Sequence, residues 1–269
     1  DGRVFFGMSG SDANDTQVKV LWHFNIARGK PNKRKVISRL RAYHGVTVAA
    51  ASLSGLPYMH NNMGLPLDFV RHVSCPSFYR FGLPGETETD FVNRLAAELD
   101  AAIIEEGPET VAAFFAEPLQ GAGGVIVPPD GYFPAMREVC DRHDVLMVGD
   151  EVITGLGRTG SLWGCETLGQ DPDLLSSAKH LTSAYVPLSA AMVPAAICEE
   201  IEAATARSGG VFGHGYTYTG HPVPCAVALK VLEIFERDRI VENVRERLGP
   251  RFQRRLRELA EHPLVGEAR

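Results

Sequence analysis

Lys179 lies in the stretch DLLSSAKHLTSAYVPL, and between Asp173 and Glu199 it is the only side chain with a full charge at neutral pH, in a chain that is 22% charged. An ammonium placed in apolar surroundings at a strand end is disfavoured by desolvation, which lowers its pKa and frees the amine as a nucleophile. That is the chemistry of a Schiff base with a carbonyl compound. The plainer reading buries the stem and lets the ammonium reach solvent or a carboxylate. Lysine is scarce here: Lys19, Lys30, Lys33 and Lys35 crowd near the start, and only Lys179 and Lys230 follow. Lys230 falls in an amphipathic helical pattern and reads as a solvated face.

Other reactive side chains follow apolar runs in the same way. Glu117 comes after VAAFF, and Asp150 with Glu151 comes after VLMVG. In an open parallel sheet, ligands bind outside the carboxyl ends of the strands, so these positions are candidates for one site. GMSGSDAN adds Gly10 and Ser11 at the start of a helical pattern, where free N–H groups and the helix dipole suit a phosphate. The Asp-Glu pair admits three readings. It could hold magnesium in a nucleotide hydrolase, but no G-x-x-x-x-G-K-[ST] cradle accompanies it. It could pair with the ring nitrogen of a pyridinium cofactor, or it could cap a turn. GLGRTG, residues 155–160, matches G-x-G-x-x-G in letters only, because DEVIT separates it from the strand and a poor helix follows. It reads as a glycine-rich loop near the site, anchored by Arg158. The histidines show no metal-ligand spacing, and there is no G-x-S-x-G nucleophile elbow.

The elements that must position these residues alternate. SDANDTQVKVLWHFNIARG has helical spacing with Ser11 as N-cap and Gly29 and Pro31 as stops. KVISR is a short strand; ETDFVNRLAAELDAAIIEEG is an amphipathic helix, and TVAAFFAEP follows as a buried strand. FPAMREVCDRHD is a second such helix, leading into VLMVGDEV, and DLLSSA and LSAAMVPAAI are further strands. This alternation predicts an α/β protein with a mostly parallel sheet covered by helices on both faces. From Pro222 onward the pattern is nearly continuous helix, charge-rich in its later half.

At 269 residues and 45% hydrophobic composition, the chain has room for a large core and one to two domains. A net charge of -6 and a pI near 5.9 exclude a general nucleic-acid binder. Five scattered cysteines without a C-x-x-C pair point to a reducing compartment. The longest apolar stretch, AYVPLSAAMVPAAI, contains two prolines and is too short to span a bilayer. With no leader at the start, the expectation is a soluble, cytoplasmic protein. Both ends read as cuts, Asp1 entering almost directly into a glycine-rich turn and HPLVGEAR as a strand beginning, so an internal piece of a longer chain is expected.

Taken in order, SGSDAN, YHGVT, AEPLQGAGGVIVPP, GDEVITGLGRTG with SSAKHLTSAYVPLSA, and GHGYTYTGHP resemble the class III aminotransferases, pyridoxal phosphate enzymes of fold type I. Within them the chain most resembles the omega-amino acid or amine:pyruvate transaminases, over essentially its whole length. The resemblance implies a large cofactor-binding domain over residues 1–235, with 236–269 as a connecting helix and the beginning of a smaller C-terminal domain. It makes Lys179 the lysine joined to pyridoxal 5'-phosphate as an internal aldimine, and Asp150 the carboxylate that keeps the pyridine nitrogen protonated. Val152 and Tyr43 would flank the ring, and Gly10 and Ser11 would hold the phosphate. Tyr216 and Thr217 would complete the phosphate site of the other subunit in a homodimer, or dimer of dimers, with shared active sites. Glu117 would lie near the ring hydroxyl and the substrate entrance.

The implied reaction is a ping-pong transfer of an amino group from an amine or omega-amino acid to a keto acid such as pyruvate, with Lys179 as covalent anchor and general base. Two positions depart from the family pattern, His180 in place of a small residue and Gly149 in place of alanine. The family's N-terminal segment and most of its C-terminal domain, with an arginine that can receive a substrate carboxylate, have no counterpart here. An aminomutase, racemase or decarboxylase of the same fold, a nicotinamide dehydrogenase built on GLGRTG, and an inactive fragment remain as alternatives.

Overall fold

A computed structural model describes residues 2–208 and 210–269 of the chain. Strand β1 (Gly2–Gly7) leads into helix α1 (Gly10–Ala27), and β2 (Lys35–Arg39) is followed by the short helices α2 (Val48–Leu53) and α3 (Pro57–His60). Next come β3 (Val70–Val73), α4 (Phe78–Phe81), α5 (Glu88–Glu106), β4 (Val111–Ala116), α6 (Tyr132–Arg142) and β5 (Leu146–Asp150). The chain continues through α7 (Gly164–Leu168), β6 (Leu174–Ser177), a tight turn at Lys179–Thr182, β7 (Ser189–Pro194) and α8 (Ala195–Ser208). Helices α9 (Pro222–Arg237), α10 (Ile240–Asn243) and α11 (Gly249–Ala260) close the described chain.

The strands form one sheet in the order β1, β7, β6, β5, β4, β2, β3. From β3 to β6 every pair is parallel, whereas β7 runs antiparallel to both β6 and β1. The expected mostly parallel α/β sheet is therefore present, with an antiparallel edge that the sequence pattern did not reveal. Strand β4 shows why the apolar runs are continuous rather than alternating. Phe114 and Ala116 enter one core with α5 and α6 through Phe91, Leu99, Phe133 and Met136. Ala113 and Phe115 enter the other with α1 and α8 through Val18, Leu21 and Ile197. A strand covered on both faces has no solvent side on which to place a polar residue. Each fully buried phenylalanine contributes about 1.5–3 kcal/mol of apolar transfer.

Several local expectations shift. The N-cap of α1 is Ser9, not Ser11: its Oγ accepts from the Asp12 N–H at 3.2 Å, and Asp12 Oδ2 accepts from the Ser9 N–H at 3.1 Å. This reciprocal capping box starts the helix two residues earlier. The run LSAAMVPAAI divides, because β7 ends at Pro194 and Ala195 begins α8. The helical run after Pro222 breaks at Asp238 and Arg239, where Arg239 takes a left-handed φ of 49°. Residues 261–269 form turns rather than a strand, and the Arg269 guanidinium donates to the Val125 and Gly124 carbonyls. Gly149 has a steric cause: a Cβ there would stand 2.9 Å from Leu175 Cδ2 and 3.2 Å from Pro172. Among the described residues, no helix is long and apolar enough to cross a membrane.

Candidate active site

The carboxyl ends of β2, β4, β5 and β6 open onto one cavity of about 420 Å3. Its position is where an open parallel sheet reverses its strand order, with β3 on one side of β2 and β4 on the other. Gly10, Ser11, Tyr43, Glu117, Asp150, Val152 and Lys179 all line it. Seven of the expected site residues, drawn from five separate segments, thus converge.

Asp150 is the most constrained of them. At 3% exposure its Oδ2 accepts from Asn14 Nδ2 at 2.8 Å and from His44 Nδ1 at 2.8 Å, while Oδ1 accepts from the Val152 N–H at 3.0 Å. A carboxylate only accepts, so His44 must carry its proton on Nδ1. Asn14 also donates to the His44 carbonyl at 2.7 Å, and the His44 ring lies edge-on to Phe115 with centroids 5.0 Å apart. Asn14 and His44 escaped the sequence reading as individual residues. Their signal was there, since Asn14 closes SGSDAN and His44 follows Tyr43 in YHGVT. Glu151, its neighbour in sequence, faces away from the cavity. Its carboxylate accepts from the Gly164 N–H at 2.9 Å, the Cys165 N–H at 2.7 Å and the Thr154 hydroxyl, capping the start of α7. The pair therefore splits into one cavity residue and one structural cap, which removes the magnesium reading of Asp-Glu as a unit.

Glu117 stands at the end of β4, 2% exposed. Its Oε1 accepts from the Tyr43 N–H and its Oε2 from the Gly121 N–H, each at 3.0 Å. Burial pushes its carboxyl pKa up, with the neighbouring Asp150 charge adding to the rise and His44 opposing it. Lys179 is not buried as the strand-end setting predicts, but is exposed toward the open side of the cavity. The surrounding protein still lowers its pKa by desolvation, against an upward pull from Asp150 and Glu117.

At the other end of the cavity, the α1 start brings Gly10 against Val152. A Cβ on residue 10 would stand 2.9 Å from Val152 Cγ2, so glycine permits the contact. Ser11 follows in the first turn and its Oγ accepts from the Val46 N–H at 3.1 Å. First-turn amides of a helix lack intrahelical acceptors and suit an anion. Tyr216 and Thr217 do not line the cavity. The Tyr216 hydroxyl donates to the Asp12 carbonyl at 3.1 Å and its ring packs edge-on to His214, while Thr217 is exposed. The glycine-rich loop is anchored by Arg158 as expected, through a bond from Nε to the Ile153 carbonyl at 2.5 Å.

The whole chain, residues 1–269, matches the family model for class-III aminotransferases. The chain belongs to that family. A probable gamma-aminobutyrate transaminase 3 of Oryza sativa subsp. indica, named as mitochondrial, is 49% identical over 268 residues, all of this chain and 52% of that protein. A gamma aminobutyrate transaminase 3 of Solanum lycopersicum, named as chloroplastic, is 49% identical over 99% of this chain and 51% of its own length. Among solved structures, the omega transaminase of Pseudomonas jessenii in complex with PMP superposes with a TM-score of 0.96 at 49% identity, over 99% of this chain and 58% of that one. The chain thus spans about half the length of the curated relatives it matches.

Proposed function

We propose that this chain carries the cofactor-binding and reacting core of a transaminase that moves an amino group from an amine or omega-amino acid to a keto acid such as pyruvate. The observation that carries the reading is the Lys179 amine and the Asp150 carboxylate, held by three donors, on one cavity. The donor set fits pyridoxal 5'-phosphate. An amine faces one part of the cavity, a buried carboxylate its floor, a helix start its anion end, and Val152 and Tyr43 its flanks. When bound, that cofactor supplies an aldehyde for amines and a protonated ring that draws electrons from the reacting carbon.

The chain's own residues do the rest. Asp150, fixed by Asn14 and His44, would accept the ring N–H and keep its orientation. Gly10 and Ser11 would take the phosphate, and Val152 and Tyr43 would hold the ring between them. Lys179 would serve as covalent anchor and, once released, would carry a proton on its amine from the substrate carbon to C4′, the carbon of the cofactor's former aldehyde. Its lowered pKa raises the fraction of free amine at any given pH. Glu117, with its raised pKa, would lie near the ring hydroxyl and the substrate entrance.

Tyr216 and Thr217 are assigned to the neighbouring site of a homodimer or dimer of dimers, supported by their place outside this chain's own cavity. Residues 1–235 are read as the large domain and 236–269 as the passage into a smaller one, supported by the break at Asp238 and Arg239. Five free thiols support a reducing compartment such as the cytoplasm. The plant relatives' names make gamma-aminobutyrate the first donor to test.

Mixing the chain with pyridoxal 5'-phosphate should produce a visible absorption band that is absent in Lys179→Ala. The band should fade with gamma-aminobutyrate or an uncharged amine and return with pyruvate. Failure to take up the cofactor, or a band that persists in Lys179→Ala, would overturn the proposal.

A further inference from the structure

We propose that His180 is a positioning residue for Lys179: by accepting a hydrogen bond from Arg158 it latches the glycine-rich loop 155–160 to the turn that carries the lysine, and its protonation releases the latch. Arg158 Nη2 stands 2.6 Å from His180 Nε2. A guanidinium has no acceptor, so Nε2 offers its lone pair and the ring is neutral with its proton on Nδ1. The same guanidinium donates through Nε to the Ile153 carbonyl, so it is pinned at the loop's entry and at the turn.

The turn needs such a restraint. Lys179 takes a left-handed φ of 38°, a conformation that a residue with a side chain keeps only where its surroundings over-determine it. Within the turn, the Leu181 N–H donates to the Ala178 carbonyl at 2.9 Å and the Ala184 N–H to the Lys179 carbonyl at 3.2 Å. On its far side the loop is wedged against the C-terminal helices. A Cβ on Gly157 would stand 3.1 Å from Val241 Cγ2, and one on Gly160 would stand 3.0 Å from Arg245 Cα. The Arg158 to His180 bond therefore ties the loop packed on α10 and the segment after it to the backbone of Lys179.

The charged groups acting on the His180 ring are Arg158 from the loop and Lys179 from its own turn, both cations, and the Leu156 carbonyl also faces it. Among the described residues no carboxylate acts on it, and none of the charged side chains of α9, which packs on the turn, does so. Burial first and then the two cations push the ring's pKa below its ordinary value of 6.5. The latch is closed at neutral pH. It opens as pH falls through that lowered value, because a proton on Nε2 would set two cations at hydrogen-bond distance.

The consequence for chemistry rests on the reading of Lys179 as the reacting amine, whereas the latch itself does not. Amide hydrogen exchange of residues 155–160 and 179–184 is measured at pH 7.5 and pH 5.0, corrected for intrinsic rates, in the full chain and in His180→Ala and His180→Gln. Glutamine keeps an acceptor for Arg158 and does not titrate. The parent should exchange faster at the lower pH, by up to about tenfold, the scale of one lost charge-assisted bond. His180→Gln should stay protected at both values and His180→Ala should be fast at both. Borohydride trapping of pyridoxal 5'-phosphate on Lys179, read by peptide mass, should slow severalfold in His180→Ala and recover in His180→Gln. Parent-like exchange in His180→Ala, or an acid-induced rise in His180→Gln equal to the parent's, overturns the latch. The expected exchange pattern without any trapping at Lys179 supports the latch and overturns the assignment of the amine.

Discussion

Asp150 and Lys179 share one cavity and are held by opposite means. Asp150 ends a central strand, is almost wholly buried, and meets donors from α1, from the segment after β2 and from its own turn. Lys179 is exposed on a short turn with strained backbone, steadied by local bonds and a side-chain link from Arg158 to His180. The difference matches what each group would do under the proposed function. A carboxylate that orients a ring works by staying still, and a low-dielectric floor with converging donors keeps it still. An amine that joins and leaves a carbon must be reachable and free to swing. A buried floor and an exposed rim are thus written into burial and backbone geometry.

The comparison can be broken most sharply at the rim. Lys179→Ala should reduce transamination by at least about 10^2–10^4-fold, the usual range for losing a positioned acid-base group, as measured by pyruvate-dependent turnover. At the floor, Asp150→Asn preserves shape and two of the contacts' geometry but not the charge. Turnover should fall on the order of 10^2-fold with an unchanged circular dichroism spectrum, and an undiminished rate would contradict the ring-orienting role. Support for the floor is next in size. Phe115→Ala empties space beneath His44 and should cost about 3–5 kcal/mol in denaturant unfolding, with weaker cofactor binding following from a loosened Asp150.

Smaller effects sharpen the contrast between sequence neighbours. Glu151→Gln leaves the Gly164 and Cys165 N–H groups competing for one neutral carbonyl, so stability should drop by roughly 1–3 kcal/mol while the intrinsic chemistry at Lys179 is unchanged. The smallest change concerns titration. The rate of acetylation at Lys179, followed by peptide mass, should rise with pH through a midpoint below the ordinary 10.5, because the free base is favoured. Glu117→Gln removes a carboxylate that props the ammonium up and should move that midpoint further down.

Much of the site was legible because reactive residues follow apolar runs. Glu117, Asp150 and Lys179 could each be placed at a strand end from the pattern alone, and all three line the cavity. Asn14 and His44 were not legible as site residues. They lie in the motifs SGSDAN and YHGVT, but nothing in those letters says what a buried asparagine or histidine will meet, and their meaning depends on a carboxylate 136 and 106 residues away. β1 was missed for a similar reason: GRVFFG sits beside glycines that read as a turn, and it becomes a strand by pairing with the distant β7.

Local chemistry in the chain thus determined the α/β alternation, the long helices, the buried central strands and the reacting groups, since each depends on residues within one or two turns of sequence. The tertiary structure alone decided that Asp150 faces the cavity while Glu151 caps a helix, that β7 runs antiparallel, and that His180 meets Arg158. Those outcomes rest on partners brought together by folding, and no periodicity in a single segment encodes which distant donor a side chain will find.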